Sequence, residues 1–283
     1  MSIFSRFQNI NPNFFRIGLV SFIIILLCIE LSLLIQVRSD NRMLDQIVQS
    51  NVNPDMNERE KIIHIMHWVH WKVSLINRSI KYEPELGKPD FLITPKQILT
   101  VGGACGNSTK LFVALVQRAK FKARPLLIIS NGVIGAHVVA EVWVEGRWAI
   151  FDPIFGYFYS TPEGYLATAK HIQENPELLK KVVDRNYPIK SYSYQYITRT
   201  NWRKIPPILY TLLHKLLGED KVQEIALNKY TVRPKILAAY LNIGLVAVVG
   251  MLWIILEYTT QLRFKIKRLI IKNCKPFNIL VKD

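Results

Sequence analysis

Two apolar runs constrain this chain more than any other feature. Residues 17–37 read IGLVSFIIILLCIELSLLIQV, with Glu30 as the one charge, and residues 236–256 read ILAAYLNIGLVAVVGMLWIIL, with none. A helix needs about 20 apolar residues to cross a bilayer core, so each run predicts a transmembrane helix. The first run exceeds the apolar region of a signal peptide, and Arg38, Ser39 and Asp40 follow it where a small-residue cleavage site would stand. It is therefore expected to be retained. Flanking charges orient the pair. Arg263, Lys265, Lys267, Arg268, Lys272, Lys275 and Lys282 follow the second run, against Glu257 and Asp283, while Arg6 and Arg16 precede the first. Basic short flanks stay in the cytoplasm. Arg38 and Arg42 follow the first run, so the orientation rests mainly on the C-terminal tail.

The expected organisation is a cytoplasmic N-terminus over 1–16, spans over 17–37 and 236–256, an extracytoplasmic domain over 38–235, and a basic cytoplasmic tail over 257–283. The net charge is +16. Nucleic acid is excluded as a partner, because the domain lies outside and no interleaved aromatic and basic reader motif is present. The tail suits anionic membrane lipid. The domain's own basic excess is either a solvated surface or a draw for an acidic partner such as an anionic polysaccharide.

Within the domain, NEREKIIHIMHWVHWKVSLI at 57–76 predicts a helix capped by Asp55 or Asn57, with Ile62, Ile65, Met66, Val69, Val73 and Ile76 on its apolar face. His64, His67 and His70 follow at three-residue steps, but no Cys or carboxylate stands at ligand spacing beside them. They read as a polar helix flank, with no metal expected, and Trp68 and Trp71 as packing residues. A loop with Pro84, Gly87 and Pro89 follows, then a helical turn opened by Thr94 and Pro95.

There are three cysteines. Cys28 lies in the first span and Cys274 in the tail, so Cys105 has no disulfide partner in the outside domain. A helix is expected over about 106–119, with Leu111, Phe112, Leu115 and Ala119 on one face, widened by Val113 and Val116. Cys105 then sits at a helix N-terminus, where unpaired N–H groups and the helix dipole favour an anion. That position lowers a thiol pKa. Gly102, Gly103 and Gly106 are expected to leave the sulfur approachable.

Three strand-like runs come next: RPLLIIS, HVVAEVWV and RWAIFDP. Asn131-Gly132 marks a turn after the first, and Glu145-Gly146 has the form of a two-residue hairpin loop. Pairing Val144 with Arg147 puts Val138, Ala140, Val142, Val144, Ala149 and Phe151 on one apolar face, which should pack on the core. The other face carries His137, Val139, Glu141, Trp143, Trp148, Ile150 and Asp152. His137 and Asp152 become diagonal neighbours, about 7–8 Å apart along the backbone. Cys105, His137 and Asp152 thus have the chemistry of nucleophile, general base and orienting acid.

The ordered set of GAC at 103–105, ALVQRAKFKARPL at 114–126, HVVAEVWVEGRW at 137–148 and IFDP at 150–153 resembles the transglutaminase-like superfamily, in a membrane-anchored form of bacterial type. The resemblance covers about 94–159. It implies a papain-like α+β core, with a helix bearing Cys105 packed on an antiparallel sheet bearing His137 and Asp152, flanked here by two transmembrane helices. It assigns the nucleophile to Cys105, the base to His137 and the base's partner to Asp152, and requires no metal or organic cofactor. Glu141 matches an acid often found four residues after that His, expected to support the site from behind. Two positions depart from the pattern: Lys120 or Lys122 stands where many relatives have Gly between helix and strand, and Val139 where an aromatic is common. For the oxyanion, the Cys105 backbone N–H and the Gln97 side chain are the candidates.

TPEGYLATAKHIQENPELLKKV at 161–182 reads as one or two helices. YPIKSYSYQYITRTNW, with Tyr187, Tyr192, Tyr194, Tyr196 and Trp202, is either a plain amphipathic strand, the simpler reading, or an aromatic lining for a sugar or peptide groove. PPILYTLLHKLL predicts a helix at the membrane surface. The expected activity is acyl transfer from a peptide, protein or amide substrate outside the cytoplasm through a Cys105 thioester, ending in hydrolysis or transamidation. A tethered binding or accessory module in cell-surface or polysaccharide assembly is the alternative.

Overall fold

The computed structural model describes residues 12–79, 93–183, 187–226 and 232–273. Its helices are α1 (Pro12–Asn51), α2 (Glu58–Ser79), α3 (Pro95–Val101), α4 (Cys105–Arg118), α5 (Ala169–Glu174), α6 (Glu177–Lys180), α7 (Pro207–Leu217), α8 (Glu219–Glu224) and α9 (Pro234–Asn273). Its strands are β1 (Ala123–Ser130), β2 (Val133–Val144), β3 (Arg147–Asp152), β4 (Tyr157–Phe158) and β5 (Ile197–Thr198). The loop expected around Pro84, Gly87 and Pro89, and Cys274, lie outside the described residues. The chain divides into two compact units, Ile35–Leu237 and the combination of Met1–Leu34 with Ala238–Asp283.

The smaller unit is built from the N-terminal part of α1 and most of α9. Both helices are long and apolar enough to cross a membrane. Ile24, Leu31, Val248 and Ile254 are exposed along them, as suits lipid rather than a packed core. They pair antiparallel. Asn242 Nδ2 donates to Leu26 O at 2.9 Å and to Glu30 Oε2 at 3.0 Å, and Arg16 meets Glu257 at 2.9 Å. The single charge of the first apolar run therefore has a partner on the second, as a polar group surrounded by hydrocarbon requires.

In the larger unit a five-stranded antiparallel sheet runs β4-β3-β2-β1-β5. Both β-hairpins around β2 have two-residue loops, with φ of 48° and 75° at Asn131 and Gly132 and 53° and 72° at Glu145 and Gly146. Loops of this kind match the strand twist. The expected register holds: Val144 pairs with Arg147, Val142 with Ala149 and Ala140 with Phe151. β2 starts at Val133, ahead of the His137 that the sequence suggested, and carries an irregularity. Ile128 faces His137 while Ile129 faces Ile134, leaving Gly135 and Ala136 extra in β2. Gly135 has φ 78°.

Ala140, Val142, Val144, Ala149 and Phe151 pack with α2 and α4 in the main core, as the alternation predicts. All six apolar positions of α2 are buried. Asn57 caps it, accepting from Glu60 N and donating its own N–H to Glu60 Oε2. α4 is buried all round from Asn107 to Val116 rather than on one face; it is the central helix. It ends with Lys120 at φ 73°, with Lys120 N–H reaching Gln117 O and Phe121 N–H reaching Val116 O. That is the left-handed helix stop which glycine normally makes, so Lys120 occupies the glycine position of the pattern. A side chain there costs about 1–2 kcal/mol.

The second face of the sheet is covered as well: Val139 and Ile150 belong to a second core with Leu126, Ile128, Tyr159, Ala167, Ile172, Leu179 and Tyr194. Residues 161–182 hold two short helices, α5 and α6, as expected, after residues that extend along the sheet through bridges Ser160–Leu166 and Ala149–Thr168. Two expectations need correction. The Tyr-rich stretch is not a strand beyond Ile197–Thr198. Trp71 is exposed while Trp68 packs on the core, because only the latter shares the face of Ile65 and Val69.

Candidate active site

Cys105 opens α4, and Ala104 before it is extended, with φ −84° and ψ −168°. The first N–H groups of a helix have no intrahelical acceptor. The loop leading in is pinned by Asn77, whose Nδ2 donates to Gly103 O and whose Oδ1 accepts from Gly103 N, each at 2.9 Å. A Cβ on Gly102 would lie 2.1 Å from Asn77 Oδ1, and one on Gly103 2.1 Å from Asn107 Nδ2. These two glycines therefore serve close packing of the loop, not access to the sulfur. Only Gly106 faces open space. Gln97 Oε1 accepts from Thr94 N at 2.8 Å, so that side chain caps α3.

α4 is locked to β2 one turn beyond Cys105. Thr109 Oγ1 donates to Val138 O at 2.8 Å, next to His137. The extra residues Gly135 and Ala136 immediately precede His137, and a bulge of this kind re-aims the side chain beside it. His137 Nε2 lies 2.7 Å from Asp152 Oδ2, both groups almost wholly buried. A carboxylate only accepts, so Nε2 carries the proton and Nδ1 is left for the thiol. Tyr187 OH donates to the same Oδ2 at 3.1 Å, while Asp152 Oδ1 is buried without a donor among the described residues. Beyond Asp152, His70 Nδ1 donates to Ile154 O at 2.8 Å and holds the turn. A Cβ on Gly156 would approach that ring to 3.1 Å. His70 thus has a structural partner, whereas His67 meets Phe158 edge-on.

Aromatic rings close over the imidazole. Tyr192 stacks on His137 with centroids 4.2 Å apart and planes 11° apart. Phe155 and Tyr187 stand at 5.7 and 6.3 Å. Burial works against a charged ring, but the hydrogen bonds and charges of Asp152 and Cys105 outweigh it, and the His137 pKa rises to about 9. For Cys105, burial pushes the thiol up. Its hydrogen bond to His137, the charge of that ring and the N–H groups of Val138 and Gly106 outweigh burial and bring it below its ordinary value. Burial and the Asp152 charge push Tyr187 far up, which keeps it a donor. Both shifts favour the thiolate–imidazolium pair over the neutral pair.

Cys105, His137 and Asp152 are thus together, as the sequence predicts. Glu141 is not with them. It is buried, and accepts from Arg124 Nε at 2.6 Å and from Arg199 Nε and Nη2 at 2.8 Å each. Sequence reasoning passed over Asn77, Thr109, Tyr187 and Tyr192 as site residues. Gly135, interrupting a strand pattern, was a usable sign of the bulge; nothing local marked Asn77 or Thr109.

Comparison with curated proteins and with solved structures gives no match. Residues 45–153 match the family described as transglutaminase-like superfamily. The match takes in α2, the Cys105 helix, β1, β2 and β3, and ends one residue past Asp152. The helix-on-antiparallel-sheet core of this part of the chain is consistent with that match to the transglutaminase-like superfamily.

Proposed function

We propose that the chain is a membrane-anchored thiol enzyme acting on an amide or acyl substrate outside the cytoplasm. The observation that carries this reading is the His137 ring held between Asp152 and Cys105, with the thiol lowered and the imidazole raised. The Cys105 thiolate attacks the substrate carbonyl carbon, and charge builds on the carbonyl oxygen. The N–H of Cys105, at the start of α4 where helix N–H groups have no intrahelical acceptor, is the donor assigned to it. Collapse expels the amine, which takes the proton from His137 and leaves a thioester. Water or a second amine then gives a proton to His137, attacks the thioester and releases the thiolate. Water makes the enzyme a peptidase or amidase, and an amine makes it a transamidase. Asp152, loaded by Tyr187, holds the ring orientation throughout.

Antiparallel pairing of α1 and α9 supports termini on one side of the membrane, and the basic tail supports the cytoplasmic side. A reporter fused after Asp283 and active only outside the cytoplasm would contradict this. For the chemistry, the full chain in lipid nanodiscs is incubated with simple acyl amides and thiol-reactive acyl donors, acid-quenched and digested. The expected result is a hydroxylamine-sensitive acyl group on the peptide bearing Cys105, lost in His137→Ala. An unmodified Cys105 with every donor would sink the proposal.

A further inference from the structure

A surface helix of a globular domain normally turns its apolar stripe inward. α7 does the reverse. Tyr210 packs against Trp202 with centroids at 5.2 Å, and His214 follows at 5.9 Å from Tyr210, both partly buried. The row Ile208, Leu212 and Leu216 points away from the domain at 81%, 53% and 70% exposure. Leu209 widens that row and is exposed too. None of the helix's 11 residues is buried. Four apolar side chains on one side of a short helix, held outward by the aromatic and polar side, demand an apolar cover.

We infer that the outward stripe of α7 docks into the interfacial layer of the bilayer, as a second membrane contact besides the two apolar helices. The inference rests on the membrane anchoring proposed above. Three observations select lipid over a second copy. Only residues 218–235 separate α7 from the second apolar run, a reach of at most about 60 Å, so the bilayer is always within range and docking is intramolecular. The stripe contains no acid, and Arg203 and Lys215 lie near it in the sequence, residue types that settle at headgroup level. The face is also small. An 11-residue helix presents roughly 17 by 10 Å, well short of the about 800 Å² per partner of a stable protein interface. Docking here would hold the Tyr-rich stretch over the site at a fixed distance from the membrane, because β5 and Trp202 connect the two directly in sequence.

The test uses the full chain in nanodiscs with Cys28, Cys105 and Cys274 replaced by serine and single cysteines introduced for a fluorophore. Leu216→Cys reports the stripe, Thr211→Cys the side of the same helix, and Leu245→Cys the second apolar run. Nitroxide-bearing lipids should quench the probes at 216 and 245 several-fold more than the probe at 211, and aqueous iodide should show the opposite order. Quenching at 245 but not at 216 overturns the docking and leaves the anchoring intact. No lipid quenching at either position overturns both. Probe-to-probe excimer signal at 216 in discs holding two copies, without lipid quenching, assigns the stripe to a second copy and overturns the inference.

Discussion

Two buried charged clusters sit four residues apart on the same face of β2, and they are built in opposite ways. At Glu141 every acceptor is occupied. Arg124 and Arg199 both reach it, both also reach Glu224, and Arg124 lies 4.0 Å over the Trp148 ring. Two cations face two anions. At His137 one oxygen of Asp152 takes both donors while the other takes none among the described residues, and the central ring exchanges its proton at about 9. Saturated, fixed charge ties β1, β2 and the segment after β5 together. Unsaturated, titratable charge next to a thiol is suited to move a proton. The resemblance placed both acids near the site; geometry separates their work.

The largest expected effect falls on the His137 side. Cys105→Ser should lower turnover on the order of 10⁴- to 10⁶-fold with little change in thermal midpoint, because the hydroxyl fills nearly the same space but has no comparable anion. A variant that keeps substantial turnover moves the nucleophile elsewhere. Next, Glu141→Gln leaves Arg124 and Arg199 buried with only the exposed Glu224. It should cost about 3–5 kcal/mol in denaturant unfolding while the pH profile of Cys105 reactivity stays put. If stability is unchanged and the profile moves instead, the two clusters are one site and the contrast fails.

Turnover should fall as pH rises through about 9, where His137 loses the proton it gives to the leaving amine. It should also fall on the acid side, where the thiolate is protonated, at a pH below the ordinary thiol value. The sign for stability is the same at the upper end. A ring whose folded pKa lies above its unfolded value contributes fully below about 6.5, and that contribution is lost as pH climbs to about 9. The smallest effect distinguishes the aromatic cover. Tyr192→Leu removes a ring stacked on the imidazolium, an interaction of about 0.5–1 kcal/mol. The alkaline limb should therefore move down by about 0.4–0.7 pH units, with KM and stability little altered. An upward shift would mean that Tyr192 only desolvates His137.

Much of the site could be read from the sequence because it depends on local rules. Glu145-Gly146 fixes a two-residue loop, the loop fixes the register, and period-two alternation then puts His137 and Asp152 on one face. The apolar positions of α4 set where it starts, and so where Cys105 stands. What escaped depends on contacts between distant segments. Tyr187 and Tyr192 lie in a stretch whose alternating tyrosines imitate a strand, but its rings are drawn individually to Asp152 and His137, and no periodic pattern records that. Glu141 is paired from positions 124 and 199, and the Gly103 loop is held from position 77, all beyond the reach of a local window. The burial of the second sheet face was hidden for the same reason. Its cover comes from short helices and irregular chain that show little amphipathic period.

The central claim is that Cys105 is ionised by its partnership with His137 and by the start of α4. The direct measurement is the pH dependence of Cys105 alkylation in the full chain, with Cys28 and Cys274 replaced by serine, for the parent protein and for His137→Ala. The account predicts a parent rate already high and nearly flat across neutral pH. In His137→Ala the thiol titration should move upward, because the hydrogen bond and the charge that chiefly oppose burial of the thiol are lost with the ring. A parent thiol that titrates like a free cysteine, with no change on removing the imidazole, would contradict the account and make Cys105 a structural residue.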